Sequence, residues 1–190
     1  MIQHFIGSMV MYCIVATPIY GVLRFLYIRR KNFSIWREII LYVFVLYTVA
    51  ILSQTIIPNY RATFGYRTVN LIPFQTISSY GHQLVSGTYM NHIAFYNLAG
   101  NILLFIPFGM LLPLLWRPFR KIGWQITVSI AIPLFIEGTQ YFIGRSTDID
   151  DVILNAASIY LGFVMTQWLL KRFYTGINKN GCNNMGNSLK

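Results

Sequence analysis

Five long apolar blocks divide the chain: Phe5 to Ile28, Ile39 to Ile57, Leu98 to Trp116, Trp124 to Ile143 and Val152 to Leu170. Within them apolar and polar residues neither alternate nor follow a heptad. Each block approaches or exceeds the roughly 18–20 residues that cross a hydrocarbon core as a helix. Lipid offers the backbone no hydrogen-bond partner, so only helices or closed barrels can cross, and uninterrupted blocks are of the helical kind. The pattern predicts an all-α fold, a polytopic membrane helical bundle of about five transmembrane helices. Thr17-Pro18 in the first block and Pro107 and Pro113 in the third predict bends, since each proline removes an intrahelical hydrogen bond.

Composition agrees with the pattern. The 190 residues are 55% hydrophobic, 16% aromatic and only 11% charged, where a soluble domain carries about a quarter charged residues. The surplus of 15 Lys and Arg over five Asp and Glu raises the question of nucleic acid, and its distribution answers it. Arg24, Arg29, Arg30, Lys31 and Arg37 flank the first connection, while Arg117, Arg120 and Lys121 fill the third. Lys171, Arg172, Lys179 and Lys190 follow the last block. By the positive-inside rule these twelve mark the cytoplasm, leaving Arg61, Arg67 and Arg145 for the other side. The charge sets topology, so nucleic acid is discounted and membrane lipids are the expected surroundings.

This topology puts the N-terminus outside, the C-terminus in the cytoplasm, and Pro58 to Asn97 and Gly144 to Asp151 outside. The first block lacks the basic start, short apolar run and small-residue site of a cleavable signal. Cys13 and Cys182 fall on opposite sides, which excludes a disulfide between them. One domain is expected over 1–175, followed by a polar tail, 176–190, whose composition points to disorder.

The connection from Pro58 to Asn97 is the longest, and loops of such length are often functional. Its stretch Asn70-Leu71-Ile72-Pro73-Phe74 suits a turn dipping into the headgroup layer, a partly embedded outer loop. The remainder, through His82 and His92, reads as interfacial. Neither histidine has a second ligand at metal-binding spacing.

Four of the five acidic residues lie between Glu137 and Asn155: Glu137, Asp148, Asp150 and Asp151. The fifth, Glu38, sits in a basic connection. Ionisable groups at membrane depth are costly and usually functional. Glu137 is six residues from Ile143, so it lies roughly 9 Å below the end of its helix. A carboxylate there calls for a partner, with Arg145 and Arg67 nearest by topology. Glu137, Gln140 and Tyr141 share one helical face, as do Asn97, Gly100 and Asn101. Thr147 with Asp150 resembles a capping box. Asp148, Asp151, Asn155, Ser158 and Gly162 recur at steps of 3, 4, 3 and 4, a polar-to-small stripe down one face. Its lower half suits close helix packing. Its upper half brings carboxylates and an amide to the level of Asn101 and Glu137.

A polar pocket at that level has three readings. It can hold a polar lipid or glycan headgroup. Its carboxylates Glu137, Asp148 and Asp151 can also act as catalytic groups or as ligands of a divalent cation that engages phosphate. Or the polar groups form a network that only fixes helix packing. No nucleophile–base pair or phosphate-cradling glycine loop is visible.

At these residues the sequence resembles the VanZ-like family. The resemblance rests on Asn70 to Phe74, Asn101 to Gly109, Glu137 with Gln140, Gly144-Arg145, Asp148 to Asp151 and Asn155, in order over about residues 66–165. It departs after the acidic turn, reading Asn155-Ala156-Ala157-Ser158 where relatives tend to continue Asn-Thr-x-Gly, with the next glycine at Gly162. The resemblance implies a multi-pass protein of the bacterial plasma membrane, in a family whose founding member is associated with teicoplanin resistance. It implies no particular reaction. On this reading Asn70, Asn101, Glu137, Gln140, Arg145, Asp148, Asp151 and Asn155 bind an outer-leaflet component, such as a lipid-linked envelope precursor or the glycopeptide itself. Asn70 to Phe74 act as a lid and Arg145 meets negative charge. The alternatives are a metal-dependent hydrolase or transferase acting on a lipid-linked phosphate, and a membrane scaffold.

Overall fold

A computed structural model describes residues 2–28, 34–56, 68–86 and 91–187, with side chains for 7–26, 34–56, 68–85, 95 and 97–172. In chain order the elements are α1 (Ile2–Ile28), α2 (Ile35–Thr55), β1 (Val69–Asn70), α3 (Gln75–Ser86) and α4 (Asn91–Leu115). A 3-10 turn (Arg117–Arg120), α5 (Ile122–Phe142), β2 (Thr147–Asp148) and α6 (Ile149–Asn187) complete the chain.

Five of the described helices are long and apolar enough to cross a membrane: Gly7–Leu26, Ile35–Thr55, Asn97–Leu115, Ile122–Phe142 and Ile149–Arg172. They coincide with the five apolar blocks to within a few residues. The protein is a multi-pass all-α bundle.

Three features differ from the expectations. The interfacial stretch after Phe74 is a 12-residue helix, α3. Glu38 belongs to the first turn of α2 and is ion-paired with Arg24 of α1. Finally, α6 continues to Asn187 through most of the segment expected to be a disordered tail. Polar composition argues against a packed core, but a helix already nucleated by the preceding span can extend without one. Arg61 and Arg67 lie outside the described residues, as do residues 188–190 and the His92 side chain.

The core is the seam between α4 and α6, where Phe105, Ile159 and Phe163 are fully buried. Ile51 of α2 and Ile136 of α5 close around it. Because lipid is as apolar as leucine, helices associate here through close packing rather than water exclusion. Two glycines permit it. A Cβ on Gly109 would run into the Ile159 carbonyl, and one on Gly162 into the Ile106 carbonyl. The Thr166 hydroxyl donates to the Met110 carbonyl at 3.0 Å one turn further along. The small end of the α6 stripe is therefore a packing surface, and Gly162 supplies the closest approach.

Toward the basic end, Phe44 stacks on Phe108 at 5.5 Å and meets Trp116 edge-on at 5.2 Å. By contrast α1 is peripheral and packs on α2, through Tyr20 against Tyr42 at 5.3 Å and the Arg24–Glu38 pair.

Gly162→Ala forces a backbone-to-side-chain clash and is expected to cost about 1–3 kcal/mol, the usual range for overpacking. Gly123→Ala, where a Cβ meets nothing within 4 Å, is expected to be neutral or stabilising. Thermal unfolding of the purified proteins in one detergent compares them.

Candidate functional site

At the end of the bundle away from the 3-10 turn, the segment from Thr68 to Ile77 folds against the start of α6. A two-residue parallel ladder pairs Val69 with Thr147 and Asn70 with Asp148. The chain then turns into α3, whose preceding residues, Pro73 and Phe74, carry no side-chain acceptor for its first N–H groups. Such donors need a partner from elsewhere. Asp150 supplies it. Its fully buried carboxylate accepts the backbone N–H groups of Phe74 at 2.5 Å, Thr76 at 2.7 Å and Ile77 at 3.0 Å. Phe74 adopts a left-handed φ of 65°, which costs about 1–2 kcal/mol. Hydrogen bonds to charged groups contribute about 1.5–3 kcal/mol each, so the carboxylate outweighs the strain.

The expected capping box of Thr147 and Asp150 is not formed. Thr147 is extended in the ladder, its buried hydroxyl has no partner among the described residues, and Asp150 caps α3 instead. Asp148 takes over as the cap of its own helix, its Oδ1 accepting the Asp150 N–H at 2.9 Å. The same carboxylate accepts from the Thr76 hydroxyl at 2.5 Å and the Asn70 amide at 3.3 Å. Asn70 Oδ1 accepts the Ile72 N–H at 3.1 Å, which sets the turn.

A cavity of about 700 Å3 opens beside this knot. Glu137, Gln140, Arg145, Asp148, Asp151, Asn101 and Asn155 all line it, with Asn97, Gly100, Thr76 and Tyr80 among the other lining residues. Asp151 accepts from the Asn101 amide at 2.7 Å. Glu137 is 4% exposed and its Oε1 accepts the Asp148 N–H at 3.5 Å, while its Oε2 has no partner among the described residues. Asn155 is 5% exposed and its Oδ1 is likewise unpartnered. Two residues lining the cavity thus each carry a buried acceptor with no described partner, and each such group is costly unless something donates to it.

Other assignments change. Arg145 forms no described ion pair with Glu137: its Nη1 donates to the carbonyls of Thr55 at 2.6 Å and Gln54 at 3.3 Å. Gln140 donates to the same Thr55 carbonyl at 2.9 Å. Both bind the carbonyl end of α2, where a cation also complements the helix dipole. Asn70 stands behind Asp148 rather than on the cavity wall, and Leu71, Ile72 and Phe74 are exposed outside it. Tyr141 is exposed and does not share the cavity with Glu137 and Gln140. Among the described residues no three His, Cys, Asp or Glu side chains come together closely enough to hold a metal ion.

Sequence reasoning did not single out Thr76 and Tyr80. Thr76 follows the Pro73-Phe74 turn at the position of a first-turn hydroxyl, and Tyr80 lies one turn later on the same face, where its hydroxyl accepts from the Asn97 amide at 3.0 Å. Recognising α3 would have paired them.

Among known families, the model described as VanZ/LLP1 matches residues 39–171. That covers well over half of the chain, which belongs to this family. No curated protein and no solved structure matches it.

Asp150→Ala removes the acceptor of three backbone donors and is expected to cost at least about 3 kcal/mol. Hydrogen exchange should then accelerate at Phe74, Thr76 and Ile77 before it does in the α4–α6 seam. Asp150→Asn, which keeps one acceptor oxygen, is expected to be intermediate in both unfolding temperature and exchange.

Proposed function

We propose that this VanZ/LLP1-family protein is a binding protein of the bacterial plasma membrane whose cavity captures an outer-leaflet envelope component and so lowers susceptibility to teicoplanin-type glycopeptides. The observation that carries the reading is the pair of buried, unpartnered acceptors, Glu137 Oε2 and Asn155 Oδ1, on the wall of a cavity of about 700 Å3. Buried polar groups are almost always hydrogen-bonded, so open acceptors on residues that line a cavity invite a donor from outside the chain. Here the structural duties fall to other groups: Asp150 caps α3, and Arg145 and Gln140 bind the end of α2. Glu137 and Asn155 line a space large enough for a headgroup.

The basic connections support an orientation with this cavity on the exterior side. Asp148 and Asp151, held by Thr76, Asn70 and Asn101, would flank the captured group. Glu137 would meet it directly.

Teicoplanin and vancomycin susceptibility of a sensitive Gram-positive host, expressing wild type or Glu137→Gln at matched membrane levels, tests the reading. Losing one charge-assisted hydrogen bond lowers affinity by about ten-fold or more, so the variant is expected to lose teicoplanin-selective protection. Equal protection by the variant would assign Glu137 to packing and contradict the proposal.

A further inference from the structure

We infer that the cavity receives the primary ammonium group of a membrane amphiphile, an assignment that rests on the reading of the cavity as a binding site. Its unsatisfied groups, Glu137 Oε2 and Asn155 Oδ1, are both acceptors, so the missing partner is a donor. Asp148 and Asp151 add two more carboxylates to the same wall, each already supplied with side-chain donors by its neighbours. The single basic side chain on the described wall, Arg145, directs its Nη1 to the Gln54 and Thr55 carbonyls. Acidic groups thus outnumber basic ones on one wall, and complementarity selects a cation that donates.

An ammonium meets both requirements, with three N–H donors and one positive charge. A hydroxyl donates without the charge. A phosphate brings acceptors and negative charge to a wall of carboxylates. The same cavity also has apolar lining: Leu103, Leu104 and Ile136 line it with Tyr47. Tyr47 lies eight residues before the end of α2, about 12 Å deeper at 1.5 Å per residue. A lining with both polar and apolar groups matches a charged head carried on a hydrocarbon tail.

The test uses the full chain in phosphatidylcholine nanodiscs, followed by thermal unfolding with decylamine, N-decylacetamide, decyl phosphate or glucosamine. Decylamine is expected to stabilise the wild type with an apparent affinity about ten-fold or more above that of the uncharged acetamide. Decyl phosphate should bind no better than the acetamide, and glucosamine, which has the amine without the tail, more weakly than decylamine. Glu137→Gln and, separately, Asn155→Ala should reduce the preference for decylamine. Equal stabilisation of the wild type by amine and acetamide overturns the inference whether or not either variant folds. Stronger binding of the phosphate does the same. If amine preference is absent while Glu137→Gln still abolishes teicoplanin protection, the ligand class fails and the proposed function stands. If decylamine binds through Glu137 but protection ignores it, the proposed function fails and the ligand class stands.

Discussion

One buried carboxylate, that of Asp150, joins the long connection to the last span. Three N–H groups at the start of α3 have no local acceptor, and the fully buried Asp150 side chain accepts all three. From that contact the rest of the site follows. With α3 held there, Thr76 reaches Asp148, Tyr80 accepts from Asn97, and the cavity gains the wall that α4, α5 and α6 do not provide. The adjacent acids differ through their neighbours. Asp150 is satisfied by backbone and serves structure, Asp148 both caps α6 and faces the cavity, and Glu137 keeps one oxygen without a described partner.

The second constraint is register along α4 and α6. Gly109 meets Ile159, and Asn101 bonds Asp151. Each partner of the polar pair lies eight residues before its counterpart in the close contact, about 12 Å along its own helix. The glycine seam therefore fixes the level at which amide and carboxylate meet. A side chain inserted at Gly109 or Gly162 would disturb the polar level as well as the packing, because rigid helices transmit the displacement. The family match spans both the seam and the acidic knot.

Much of this was legible in the sequence because it depends on period and rarity. Apolar block length revealed the five spans, and steps of 3 and 4 revealed the face shared by Asp148, Asp151, Asn155, Ser158 and Gly162. The scarcity of acids marked Glu137. Four things could not be read. The partners of Asp150 are backbone groups more than 70 residues away. Arg145 was expected to pair with an acid by topology, yet the open carbonyls at the end of α2 offered it hydrogen bonds. The β1–β2 ladder is two residues long, too short for any alternation to show. The short helix α3 was hidden because its first turn is capped from another element.

Acceptors and carboxylates line the cavity, and thiol accessibility reports whether it opens to the exterior. Gly100 lines the cavity and a side chain added there meets nothing within 4 Å, so Gly100→Cys places a thiol at the site without removing a hydrogen bond. In a Cys13→Ser, Cys182→Ser background, intact cells would be treated with membrane-impermeant methanethiosulfonates of either charge. Labelling from outside is expected, with the cationic reagent faster than the anionic one by about ten-fold or more at low ionic strength. Labelling confined to inverted vesicles, or a faster anionic reagent, would contradict it.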